Sequence, residues 1–111
     1  MSTAAKLDCK EILKAVRAIL EPMYGERLRG LVLYGSVARG DYDEDSDVDI
    51  LVLLSDVGNF GEELWRLVGA VYDLSWEKLG RPISVKPVSE DIFKSSLYPL
   101  YVNARREGIA G

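Results

Sequence analysis

The stretch LVLYGSVARGDYDEDSDVDILVLL, Leu31 to Leu54, constrains this chain more than any other. Leu31 to Tyr34 is a short apolar run of the length of a buried strand, and Ile50 to Leu54 is a second. Between them the chain turns at Gly35-Ser36, makes about one helical turn over Val37-Ala38-Arg39, and breaks at Gly40. An acidic loop, Asp41 to Asp45, leads into Ser46-Asp47-Val48-Asp49. Side chains on a strand alternate between faces, so Asp47 and Asp49 are expected to point the same way, about 6–7 Å apart. Val48, between them, then faces the core.

That geometry carries a chemistry. Two carboxylates at such a separation offer the hard oxygen ligands that magnesium prefers, and magnesium completes its shell with water and substrate phosphate. Gly35 lets the backbone come close to a ligand. The amides at the start of a helical turn attract an anion, and the Ser36 hydroxyl adds a donor. The spacing therefore predicts a phosphate held at Gly35-Ser36 and a divalent metal held by Asp47 and Asp49. The competing reading of the same residues is a Gly-Ser turn followed by a solvated acidic hairpin.

Gly35-Ser36, then Arg39-Gly40, then Ser46-Asp47-Val48-Asp49 and an apolar run together resemble the signature of the DNA polymerase β-like nucleotidyltransferases. The small stand-alone group called minimal nucleotidyltransferases, known as partners of HEPN-domain proteins, is the most similar. The resemblance implies a polymerase β-like fold and transfer of a nucleoside monophosphate from a triphosphate, ATP in some relatives, with Mg2+ or Mn2+. It implies catalytic and metal-holding roles for Asp47 and Asp49, and nucleotide-binding roles for Gly35, Ser36, Arg39 and Ser46. It also implies a hydroxyl acceptor, in some relatives on a HEPN partner.

Composition narrows the field from the other side. With 111 residues, 48% hydrophobic and 29% charged, the chain suits one globular domain spanning residues 1–111. The sequence contains no histidine, which excludes histidine acid–base catalysis and the usual zinc sites. One cysteine, Cys9, excludes an internal disulfide and suits a reducing cytoplasm. No apolar run reaches the length of a membrane span, and no signal-peptide core is visible at the N-terminus. A net charge of −4 argues against strong nucleic-acid binding, which needs clustered Lys and Arg.

Around the central stretch the periodicities predict an α/β (α+β) chain: a small mixed sheet of at least three strands, with helices packed on one face. Residues 1–5 are expected to fray. Apolar positions from Cys9 to Met23 recur at helical steps, predicting a helix over about 6–23 closed by Pro22 and Gly25, with Cys9 a small core residue. A second helix is expected over about 60–79, its inner stripe reading Leu64, Val68, Val71, Tyr72, Ser75 and Leu79. Trp65 and Trp76 sit at its margins, where sheet-covering packing is favoured over a partner contact. Ile83–Val88 reads as a third strand. Ser89 reads as the N-cap of a helix whose Ile92 and Phe93, with Leu97, point inward. A last short helix follows Pro99. Tyr34 is expected to pack, and Arg39 to reach a triphosphate or pair with Asp41 or Asp43.

The family's third carboxylate, which comes from a strand beside the Asp-x-Asp strand, has no counterpart here. Ile83–Val88 offers only Ser84 and Lys86 at plausible inward positions. Two functions remain open: a metal-dependent nucleotidyltransferase, or a catalytically weak or inactive nucleotide-binding module that neutralises a partner. A third class, a structural protein with a calcium loop, fails on the spacing and closing Glu of an EF-hand. An exposed sheet edge also offers a route to a homodimer.

Overall fold

The computed structural model describes residues 7–111; the expected fraying of residues 1–5 lies outside them. Helix α1 runs Cys9–Tyr24, capped by Asp8, whose carboxylate accepts from the amides of Lys10 and Glu11 at 3.1 and 3.2 Å. It buries Ile12, Leu13, Val16, Leu20 and Tyr24, carries Pro22 within its last turns, and ends at Gly25. A short 3-10 turn, Gly25–Arg27, leads into strand β1, Leu28–Tyr34. Helix α2, Gly35–Arg39, is a single turn closed by Gly40 in the left-handed conformation. Strand β2 spans Val48–Leu54 and helix α3 Phe60–Asp73, continued by a π-helical turn at Leu74–Leu79. Strand β3 (Ile83–Ser89), helix α4 (Glu90–Ser95), helix α5 (Pro99–Glu107) and a two-residue strand β4 (Ile109–Ala110) complete the order.

The sheet is mixed, in the order β3-β2-β1-β4. β1 pairs antiparallel with β2, and β2 pairs parallel with β3 through the α3 crossover. β4 closes most simply of all, pairing Val32 with Ala110 and Leu33 with Ile109 along the outer edge of β1. A two-residue strand leaves no periodicity, and the sequence gives no sign of it. The opposite edge, β3, carries Pro87, which cannot donate to a further strand.

Strand alternation divides the core in two. Leu31, Leu33, Val48, Ile50 and Val52 face α1 and α3, the two main helices. Val32, Tyr34, Leu51 and Leu53 face the other way, partly covered by Phe93 of α4 and Ala104 of α5. Asp49 shares this second face, by its position in β2.

Three expectations about burial fail, the first of them in part. On α3 and its continuation Val71 and Ser75 are buried and Leu79 packs on the core, as expected, but Glu63 and Leu67 complete the inner side while Val68 and Tyr72 are 40% and 59% exposed. Trp65 and Trp76 are 78% and 51% exposed, so they do not cover the sheet. The cause is Glu63: the Tyr24 hydroxyl donates to it at 2.6 Å, Arg66 at 3.1 Å and Arg27 at 3.4 Å. A carboxylate so fully partnered can occupy an inner face, and the helix turns its aromatic side outward. In α4 only Phe93 is buried, whereas Ile92 and Leu97 are 53% and 86% exposed. A helix of six residues has one side chain to spend on the sheet, and Leu97 lies beyond its end.

Candidate functional site

Asp47 lies immediately before β2 and Asp49 is its second residue, with fully buried Val48 turned into the core between them. Asp47 is exposed and Asp49 half-buried. Burial pushes the Asp49 carboxyl above the ordinary carboxylate range, the Asp47 charge pushes it further, and Lys86 and Arg39 pull part of the way back. The charge of Asp47 thus opposes that of Asp49, and Asp49 accepts no hydrogen bond from the described residues.

Gly35 abuts Asp49. A Cβ built on it would stand 2.5 Å from Asp49 Oδ2, and its φ of +78° lies in the left-handed region. Both demands select glycine. Tyr34 pairs across the sheet with Asp49 and is packed, as expected. Its phenol is pushed up to about 12 by burial, then by Asp49 and Tyr101, so it stays neutral near pH 7. Ser36 follows Gly35 in the first turn of α2, half-buried, where the leading amides have no partner within the helix.

Arg39 takes the pairing expected as one of its two options: it reaches Asp41 at 3.2 Å, and also Glu107 of α5 at 3.8 Å. It lines a cavity of 220 Å³ between α2 and α5, with Tyr34, Gly35, Leu100 and Asn103. This recess opens beside the Asp49 face.

Ser46 closes the acidic loop. Its hydroxyl accepts from the Asp43 amide at 3.0 Å and donates to Asp43 Oδ1 at 3.2 Å. Arg81, which the sequence reading leaves without a role, donates to the carbonyls of Asp43 and Ser46, both at 3.0 Å, and lies over the Tyr42 ring. Together they fix the loop that delivers Asp47.

On β3, Ser84 aligns with Asp49 and Lys86 with Leu51, so both point to the face that Asp49 occupies. Among the described residues no group of three or more His, Cys, Asp or Glu side chains is placed to hold a metal. The acids on offer are a pair, and an ammonium stands on the neighbouring strand. No helix among the described residues is long and apolar enough to cross a membrane.

Residues 9–104 match the nucleotidyltransferase domain family. Two proteins of Methanocaldococcus jannaschii are similar along most of their length. "Putative protein adenylyltransferase MJ0141" is 33% identical, covering 78% of this chain and 89% of that protein. "Putative protein adenylyltransferase MJ1379" is 33% identical, covering 77% and 92%. A structure described as a "putative minimal nucleotidyltransferase" superposes with a TM-score of 0.56 at 28% identity, covering 96% of this chain and 98% of that one. A toxin–antitoxin solved with AMP-PNP superposes at 0.59 with 22% identity, over 87% and 70%, a likeness of fold.

Proposed function

Because this chain belongs to the nucleotidyltransferase domain family, we propose that it transfers AMP from ATP to a hydroxyl on a protein acceptor, and that a HEPN-domain partner carries that hydroxyl. The reading rests on one observation above others. Asp49 is half-buried, opposed by the charge of Asp47 and without a hydrogen bond from the described residues, with the Gly35 backbone pressed against it. A negative charge only partly offset by Lys86 and Arg39, at the mouth of a strand, suits an incoming cation.

Asp47 and Asp49 fit magnesium or manganese as two hard oxygen donors, with phosphate and water supplying the rest. Such an ion, when bound, supplies neutralisation of charge on the phosphates and the leaving group. Ser36 and the first amides of α2 hold the β- and γ-phosphates. Arg39 exchanges its exposed pairs with Asp41 and Glu107 for triphosphate oxygens. Ser46, with Arg81, acts by holding the loop so that Asp47 stays in place. The acceptor oxygen forms a bond to the α-phosphorus as the α–β anhydride bond breaks. Pyrophosphate leaves with the bonding electrons, and the hydroxyl proton passes to water. Positioning and electrostatics carry the acceleration.

Lys86 favours a slower second form of this reading. With an ammonium near Asp49 in place of a third acid, the chain binds nucleotide and partner and transfers slowly. The experiment separates the two. Purified protein is incubated with α-labelled ATP, magnesium and a HEPN-domain protein from the same organism, against an Asp47→Asn, Asp49→Asn double variant. Label on the partner that vanishes in the double variant is the expected result, and label that survives overturns the site. Tight partner binding with no label in either protein selects the slow form.

A further inference from the structure

The outward side of α3 carries an apolar stripe that nothing in the described chain covers. Gly61, Trp65, Val68 and Tyr72 follow one another at helical steps, and Trp65 is 78%, Tyr72 59% and Val68 40% exposed. Trp76 belongs to the π-helical turn Leu74–Leu79 and is 51% exposed. A wider turn advances each residue by a smaller angle than an α-helix does. Trp76 therefore stays in line with Tyr72 instead of drifting toward the flank. At one end of the stripe Gly61, Leu64, Trp65 and Val68 line a recess of 300 Å³, room for one large apolar side chain.

The three aromatic rings of the stripe offer ~150–250 Å² each when fully exposed. At the exposures observed they present about 300–450 Å² on one side, as large as the biggest apolar patch of a typical monomer. One half of a small specific interface needs about 600 Å², which a polar rim can supply. That rim is acidic: Glu62, Asp73 and Glu77 lie along one flank, all exposed. The cation among them, Arg66, is held by Glu63 at 3.1 Å.

The charge decides the occupant. In an antiparallel two-fold pairing, a second copy would set this acidic flank against itself. In a parallel one it would face the uncharged margin at Phe60 and Leu64. Neither sets a cation against it, since Arg66 is held by Glu63, and Lys78, two residues past Trp76 in the π turn, lies on the other side of the helix from the stripe. We propose that the α3 stripe is a docking surface for a helix of a partner protein that has an apolar ridge and a Lys/Arg-bearing flank, one of whose large apolar residues fills the recess at Gly61. The surface lies across the sheet from Asp49, so it can be filled while the nucleotide site stays open. It does not depend on the nucleotide chemistry.

The test uses the full chain and two synthetic helical peptides that share one leucine ridge and differ only in a Lys/Arg or a Glu flank. Tryptophan emission and titration calorimetry at physiological ionic strength read the binding. The expected result is saturable binding of the basic peptide with a blue shift, at least tenfold tighter than the acidic one. It is lost in Trp65→Ser, Trp76→Ser. A Glu62→Lys, Asp73→Lys, Glu77→Lys variant, which leaves the apolar stripe intact, should reverse the preference between peptides. Equal binding of both peptides, or binding indifferent to these variants, overturns the proposal. So does sedimentation of the protein alone as a dimer that Trp65→Ser dissolves, since the occupant is then a second copy.

Discussion

Two carboxylates on opposite sides of the same sheet have been treated in opposite ways. Glu63, on the α3 side, is buried and takes hydrogen bonds from Tyr24, Arg66 and Arg27. Asp49, on the other side, is half-buried and takes none from the described residues, and its charge is opposed by that of Asp47. The first acid is satisfied by the chain itself and serves to join α1, α3 and the 3-10 turn. The second is offset only in part, by the charges of Lys86 and Arg39, and a half-buried acid left in that state marks a place where a ligand can arrive. Burial alone does not separate a structural acid from a reactive one; the partner count does.

The strongest way to break this contrast is Asp49→Asn. Transfer to the partner should fall by at least ~100-fold, the scale of losing one group that stabilises developing charge. Stability at pH 7 should hold or rise. A carboxyl raised above 3.8 in the folded chain keeps a proton that the unfolded chain has released. Stability therefore falls as pH climbs through that window and stays lower above it. The variant escapes this loss, so its melting temperature should exceed the wild type at pH 7 and converge with it as pH drops below 3.8. A variant that melts lower at pH 7 would place Asp49 among the structural acids.

Glu63→Ala tests the other side. It leaves Arg66, Arg27 and the Tyr24 hydroxyl facing a gap, and should cost about 3 kcal/mol in urea unfolding. ATP affinity of the folded fraction should not change. Gly35→Ala comes next, at more than about 1 kcal/mol for the left-handed φ alone. Its methyl must also displace the Asp49 carboxylate, so nucleotide transfer should drop with it. Chemical-shift changes at Asp49 in NMR spectra would register the displacement directly.

The smallest effect belongs to Tyr24→Phe. Burial first, then the hydrogen bond and charge of Glu63, push this phenol up to about 12. The folded chain then holds a proton that an unfolded tyrosine sheds near 10, so stability is full below pH 10 and is lost as pH rises toward 12. Tyr34, also pushed up to about 12, adds to the same loss. The variant should start about 1 kcal/mol lower at pH 7 for want of one hydrogen bond. It should then fall less steeply than the wild type in alkaline denaturation, by Tyr24's share.

The sheet's centre was open to reading because its signal is local. Leu31–Tyr34 and Ile50–Leu54 are unbroken apolar runs, and the Gly-Ser and Asp-x-Asp pairs sit at fixed distances from them. The mixed sheet, the family and the absence of an acid on β3 could all be read from that. The orientation of α3 could not, since the helix is apolar over most of its circumference. What turns it is Glu63, whose partner Tyr24 lies 39 residues away in the chain. Arg81 was equally hidden: its acceptors are main-chain carbonyls, which leave no mark on residue identity.

The π turn that holds Trp76 has a mechanical side. Its Ser75 hydroxyl donates to the Val71 carbonyl and accepts from the Ile83 amide, and its carbonyl receives the Arg81 amide at 3.1 Å. Arg81 in turn grips the acidic loop, and the Pro82 carbonyl takes the amide of Val48 at 3.0 Å. A short series of hydrogen bonds thus runs from the π turn to Val48, the residue beside Asp47. The turn that carries Trp76 and the loop that carries Asp47 thereby share their anchors, Arg81 and Pro82.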